Sequence, residues 1–192
     1  MERPDSGIER ERSAGTARLG TLAMIASPAL LLTGIIYGFD EPVSNRVTGL
    51  LGLIFVLGWM CSAVGIRLHR ATGRGRAARA LFILQMIGLL LAASQQVQEM
   101  VFEQPEANGL VYTVADMAWP LSMLMMLLVG SFVLKAGVWR GWRRWSVILC
   151  GLALPLFLGV GALLGRRLSV IFFGVLTTLL FMLLGYAVRT VP

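Results

Sequence analysis

Six long runs of apolar residues, separated by short polar segments, constrain the fold of this chain more than any other feature of its sequence. The hydrocarbon core of a bilayer is about 30 Å thick and an α-helix rises about 1.5 Å per residue, so about 20 mostly apolar residues span it. Each run meets that requirement. The runs are residues 19–39, 47–66, 80–97, 114–134, 146–165 and 168–188.

The composition also favours a membrane location. Hydrophobic residues make up 57% of the chain and charged residues only 14%, whereas typical soluble domains contain about 25% charged residues. Backbone groups in lipid must find their hydrogen bonds within the protein, and a helix provides them within one segment. The sequence therefore predicts an all-α, polytopic bundle of six transmembrane helices over residues 19–192. Residues 1–18, rich in charge and poor in apolar residues, are expected to form a disordered cytoplasmic tail.

The distribution of basic residues predicts the orientation of the bundle. Of the 17 Lys and Arg residues, all but Arg46, Arg166 and Arg167 fall in the tail, in the loops after the second and fourth runs, or near the C-terminus. Basic residues near helix ends are retained on the cytoplasmic side, so both termini are predicted to be cytoplasmic. The short loops and the arginine bias suit a bacterial inner membrane.

The sequence contains few groups that support catalysis or bind a metal. His69 is the only histidine, and the cysteines Cys61 and Cys150 both lie inside apolar runs. No zinc-ligand spacing, Walker A sequence or dinucleotide-binding glycine pattern occurs. We therefore expect no enzyme activity, no catalytic residues, no metal and no cofactor. The arginines are interpreted as determinants of topology, so nucleic acid is not an expected partner.

Polar or small residues recur on the third predicted span every three or four positions, which places them on one helical face. They are Gln85, Gly88, Ala92, Gln95 and Glu99, with Gln96 as an alternative to Gln95. Polar side chains are costly in lipid, so this face is expected to point into the bundle, a partner subunit or a wet cavity.

Two carboxylates are expected at similar depth, because Glu99 ends the third span and Asp116 begins the fourth. Together with Gln85 and Gln95 they form a candidate polar site that carries a proton or binds a cation. The alternative is that the helix dipole stabilises Asp116 and that Glu99 lies among the lipid headgroups. Trp119, a turn after Asp116, either anchors its span at the interface or lines a pocket there.

The loop before the fifth span alternates tryptophan with arginine. Its residues are Trp139, Arg140, Trp142, Arg143, Arg144 and Trp145. They predict an amphipathic surface that sets helix depth and binds anionic lipid headgroups; docking of a partner protein is the alternative.

These features favour a non-catalytic accessory or structural subunit of a larger membrane complex, packed against other membrane subunits or a second copy of itself. The alternative is a small transporter or channel that uses the polar face of the third span with Glu99 and Asp116. An intramembrane enzyme is disfavoured, because the spans contain no pairing of a nucleophile with a histidine base.

Overall fold

The computed structural model describes residues 5–39, 45–102 and 109–191, with only the backbone for residues 5–12. These residues form helices and no strand, which confirms the all-α prediction. The helices are α1 (Asp5–Ala26), α2 (Ala29–Tyr37), α3 (Arg46–Leu68), α4 (Arg76–Val101), α5 (Leu110–Ala136), α6 (Arg143–Leu164) and α7 (Arg166–Thr190). Helices α1 and α2 share one span, so six helical segments are long and apolar enough to cross a membrane.

Pro28 divides the first span into α1 and α2. A proline lacks the N–H of the helical ladder, and its ring conflicts with the carbonyl four residues earlier. The Ser27 hydroxyl donates to the Ala23 carbonyl at 2.7 Å. Thr178 of α7 donates to the Ser27 carbonyl at 3.4 Å. The Ala23 carbonyl also accepts from the Ser27 N–H, so the bond from Thr178 of the neighbouring helix is the one that supplies a partner at the interruption.

Helix α1 begins at Asp5, so residues 5–18 of the predicted tail are helical in the structure. The segment contains glutamate, arginine and alanine, which favour helix. It also extends a helix that the membrane span already nucleates, so it avoids the cost of starting a helix on its own. Residues 1–4 of the predicted tail lie outside the described residues.

Consecutive spans pack side by side, and α7 packs against α1, which closes the six spans into a ring. We name the two ends of the bundle by one residue at each. The Glu99 end is where α2, α4 and α6 finish, and the Trp139 end is where α3, α5 and α7 finish. An even number of spans places the first and last helix termini together at the Trp139 end.

The centre of the ring is filled by aromatic and methionine side chains. Phe181 lies edge-to-face against Phe55 and Trp59, with ring centroids 5.0 and 5.1 Å apart, and all three rings are buried. Met123 and Met126 of α5 are buried in the same core. Lipid tails are as apolar as these side chains, so the cohesion of the centre comes from close packing.

Glycines allow the closest helix contacts. A Cβ atom added to Gly20 of α1 would lie 2.5 Å from the Gly185 carbonyl oxygen of α7, and one added to Gly130 of α5 would collide with Ile148 of α6. At both contacts two helix backbones approach each other directly, as small residues permit in membrane bundles.

Candidate functional site

The polar residues of α4 occupy the inner face of that helix. Gln85 is 2% exposed and Gln95 is 4% exposed, and Glu99 is half-buried one turn beyond Gln95. The neighbours of α4 are α3 and α5, and both contribute partners to this face. The three side chains therefore lie against protein rather than lipid.

Gln95, Glu99 and Tyr112 form one hydrogen-bonded group at the Glu99 end. The Gln95 side-chain nitrogen donates to Glu99 Oε1 at 2.5 Å, and the Tyr112 hydroxyl donates to the same oxygen at 3.4 Å. Gln96 Nε2 donates in turn to Gln95 Oε1. This last bond orients the Gln95 amide so that its nitrogen faces the carboxylate. The group holds Glu99 in one position.

Tyr112 was missed in the sequence analysis, although one signal for it exists. It precedes Asp116 by four residues, so both side chains lie on the same face of α5. Asp116 is half-buried. The direct hydrogen bond to Glu99 from α5 nevertheless comes from the Tyr112 hydroxyl. Among the described residues of α5, Tyr112 and not Asp116 is therefore the hydrogen-bond partner of Glu99.

A cavity of about 320 Å³ adjoins Glu99 and is lined by residues of α2, α3, α4, α5 and α7 and of the segment after α2. Small-molecule sites are concave, mostly apolar and carry a few polar groups. This cavity fits that description, because aromatic and aliphatic side chains surround a few polar ones. Its aromatic and charged lining residues are Tyr37, Phe39, Glu99, Trp119, Arg166 and Phe173.

Helix packing places two of the lining side chains. A Cβ atom at Gly52 of α3 would overlap the Gln96 carboxamide, so the glycine gives Gln96 room beside α3 at the cavity wall. Trp119 of α5 packs edge-to-face on Phe173 of α7, with ring centroids 5.7 Å apart. Of the two roles considered for Trp119, the structure places it at the pocket wall, half-buried between α5 and α7.

Gln85 belongs to a different part of the bundle. Its amide nitrogen donates to the Ser122 carbonyl at 3.3 Å, while its amide oxygen is buried without a protein partner among the described residues. It borders a separate cavity of about 20 Å³ between α3, α4 and α5, which has room for about one water molecule. The predicted polar face is therefore divided, and only the residues at its Glu99 end reach the Glu99 cavity.

The tryptophan and arginine segment does not form a single surface. Trp139 is 2% exposed and packs near His69, so the bundle itself covers this member of the predicted lipid or partner interface. The physical reason is the left-handed backbone of Gly137, which ends α5 and turns the chain back over the bundle. Trp142 and Trp145 are 43% and 46% exposed and remain available for an interface.

The arginines of that segment divide in the same way. Arg140 and Arg144 are exposed, and the Arg144 guanidinium lies 5.4 Å from the centre of the Trp145 ring. Arg143 is half-buried and donates to the Thr190 carbonyl at 3.2 Å, where a basic group complements the C-terminus of α7. Arg140 and Arg144 are therefore exposed members of the predicted interface, whereas Arg143 secures the end of the last helix.

His69 has a structural contact at the same end. Its Nε2 donates to the Val188 carbonyl of α7 at 3.0 Å. Burial lowers the pKa of the imidazole below its ordinary value, and the hydrogen bond to Val188 partly offsets that effect. The neutral ring is therefore the form that this environment favours.

No family model matches the chain, and no curated protein or solved structure is significantly similar to it. The fold defines a multi-pass α-helical membrane protein. Its particular role is therefore argued from the chemistry of its sites.

Proposed function

We propose that this protein is a non-catalytic membrane carrier that binds a small organic cation in the cavity at the Glu99 end. The observation that supports the proposal is a fixed carboxylate beside aromatic rings in a mostly apolar cavity of about 320 Å³. This proposal develops the transporter hypothesis that the polar face of α4 suggested. The aromatic core supports a carrier over an open channel, because the Phe55, Trp59 and Phe181 rings fill the centre of the bundle.

The chemistry of the lining residues favours a cation. Both side-chain hydrogen bonds to Glu99 that the structure describes reach Oε1. Of the described side chains, none donates to Oε2, so this oxygen is available to a ligand. A carboxylate in an apolar setting gains most from a partner of opposite charge. The Tyr37, Trp119 and Phe173 side chains border the same space, and aromatic faces attract ammonium groups. Arg166 also borders the cavity but is exposed, so solvent weakens its opposing field.

The proposal is tested by calorimetric titration of the purified protein in nanodiscs with benzyltrimethylammonium. Neopentylbenzene, which replaces the charged nitrogen by carbon, serves as the neutral probe of the same shape. We expect the cation to bind and the neutral compound to bind far more weakly. Glu99→Gln should weaken cation binding by roughly ten- to a hundredfold, the range for one lost interaction with a charged group.

Asp116→Asn is the matched control, because Asp116 is a second half-buried carboxylate that does not border the cavity. Its effect on cation binding should stay within about threefold, as expected for a charge acting from outside the site. Equal losses in the two variants, or equal binding of the two probes, would contradict the proposal. Uptake of the cation into proteoliposomes, lost in Glu99→Gln, then tests the carrier step.

The accessory-subunit hypothesis remains a prediction, and a separate experiment tests it. Its support is the exposed pair Trp142 and Trp145 beside Arg144, a composition common in protein interfaces. It predicts that gentle detergent extraction from native membranes recovers a stoichiometric set of foreign subunits. Migration of the chain alone, together with cation binding, would favour the carrier.

A further inference from the structure

Three arginines surround one surface recess at the Trp139 end, on the opposite end of the bundle from the Glu99 cavity. Arg67 lies in the last turn of α3, and Arg70 and Arg74 follow in the loop. Together with Leu68 they line a recess of about 450 Å³. The local backbone brings these three arginines to the same recess.

The end of α3 is a well-formed helix stop. The Ala71 N–H donates to the Ile66 carbonyl and the Arg70 N–H donates to the Arg67 carbonyl, both at 3.0 Å. This pair of bonds is the Schellman pattern, in which the residue after the cap adopts a left-handed backbone. Arg70 occupies that position with φ 52°. Ala71, the next residue, is fully buried, which fixes the turn against the bundle.

A second turn brings Arg74 back to the same recess. The Gly73 N–H donates to the Arg70 carbonyl at 2.8 Å, and Gly73 has φ 87°. Meanwhile the His69 side chain is directed away, to the Val188 carbonyl of α7. The recess is therefore lined by cationic groups and one apolar side chain, Leu68, which is 53% exposed.

The charge of the recess is not balanced by the carboxylates that the structure describes. Glu99 and Asp116, the two acidic residues whose side chains the structure describes, belong to the opposite half of the bundle. Guanidinium groups match the geometry of phosphate oxygens, and several of them can share one phosphate. The recess lies where a spanning helix ends, which is the depth of the lipid headgroups.

We propose that the recess formed by Arg67, Arg70 and Arg74 is a binding site for a phosphate group. A lipid headgroup and a free phosphate in solution share this chemistry. The position of Leu68 beside the arginines favours the lipid, because an acyl chain can cover that side chain while the phosphate contacts the guanidinium groups. The site is independent of the carrier function proposed above.

The experiment compares Arg70→Gly with Arg79→Gly by native mass spectrometry of the full chain with phosphatidylglycerol. Both substitutions remove one positive charge from the same basic stretch, but Arg79 does not line the recess. Arg70→Gly suits the left-handed backbone, so it removes the guanidinium without disturbing the turn. We expect it to reduce retained phosphatidylglycerol roughly tenfold, and Arg79→Gly to change retention less than about twofold.

Calorimetric titration with inorganic phosphate separates the two sources. Phosphate binding that Arg70→Gly abolishes would assign the recess to a phosphate compound in solution. Lipid retention that depends on Arg70, without binding of inorganic phosphate, would assign it to the headgroup. The proposal is overturned if the two variants lose lipid equally, which indicates a diffuse charge effect, or if Arg70→Gly changes neither measurement.

Discussion

Arg70 occupies a left-handed backbone position that glycine usually takes, and this conformation lowers the stability of the protein. Left-handed backbone is unfavourable for residues with a Cβ atom by roughly 1–2 kcal/mol. The arginine is held there by the buried Ala71 and by the two hydrogen bonds that close α3. At the other end of the bundle, the Glu99 carboxylate is likewise held by two neighbours, Gln95 and Tyr112.

Replacement of Arg70 by glycine should therefore stabilise the protein by about 1 kcal/mol, because glycine adopts this backbone without strain. The measurement is reversible unfolding in mixed micelles. Arg79→Gly is the control, since Arg79 lies within α4, where glycine costs about 1 kcal/mol. Glycine should thus raise the stability of the protein at position 70 and lower it at position 79. A loss of stability in both variants would contradict the strained conformation of Arg70.

The stability of the protein should fall in mild acid because of His69. The pKa of His69 is lowered in the folded state, so the unfolded chain binds a proton more readily near the ordinary value of about 6.5. Stability therefore decreases as the pH falls through that value and is regained above it. The His69→Gln variant keeps an N–H donor for Val188 but does not titrate.

Melting temperatures at about pH 8 and about pH 5.5 check this linkage. The wild-type protein should lose more stability on acidification than His69→Gln. An equal loss in both proteins would mean that other groups cause the acid sensitivity.

Helix packing is decided by a few backbone contacts between elements. Helices α1 and α7 are far apart in sequence, yet Gly20 and Gly185 bring their backbones into direct contact. The patterns Gly34 to Gly38 and Gly161 to Gly165 also have spacing typical of helix packing. Gly38 and Gly165 instead have positive φ and end α2 and α6. Spacing alone therefore did not identify the glycines that join two helices.

Gly20→Ala should destabilise the bundle by about 1–3 kcal/mol, the usual cost of an added group in a packed contact. Its Cβ atom would lie 2.5 Å from the Gly185 carbonyl oxygen and 2.6 Å from the Arg189 nitrogen. Gly15→Ala, in the same helix, meets no atom within 4 Å, so it should be neutral or stabilising by up to about 1 kcal/mol. Unfolding in mixed micelles measures both, and equal effects would exclude a close contact between α1 and α7.

For the whole molecule, the closed ring places the first and last helix termini at one end and the carboxylates Glu99 and Asp116 at the other. The Trp139 end also carries the recess of Arg67, Arg70 and Arg74. The two candidate sites therefore lie at opposite ends of the bundle. The arginine distribution predicts that the Trp139 end is cytoplasmic.

Arg46 and Arg76 offer a matched test of that orientation. Each is exposed and is the first residue of a spanning helix, α3 and α4 respectively, at opposite ends of the bundle. In intact cells, a membrane-impermeant maleimide should label Arg46→Cys, whereas Arg76→Cys should react only after the membrane is permeabilised. The reverse labelling pattern would invert the topology and place the Glu99 cavity on the cytoplasmic side.

The sequence by itself determined the number of spans and their helical conformation. A run of apolar residues long enough to cross a bilayer is a local property, and lipid leaves helix as the stable conformation for it. The predicted runs 80–97 and 114–134 fall within α4 and α5. The helices are longer than the runs, because polar residues at the ends of a span continue a helix that the apolar part has formed.

Only the tertiary structure decided which side chains meet. The regular spacing of the three tryptophans predicted a single amphipathic surface. In the structure, the turn at Gly137 buries Trp139 and leaves Trp142 and Trp145 exposed. The contact of Glu99 with Tyr112 and the cavity at Trp119 depend on how α3, α4, α5 and α7 approach one another. Those approaches are set by close contacts between distant residues, and the periodicity of one helix contains no information about its partner.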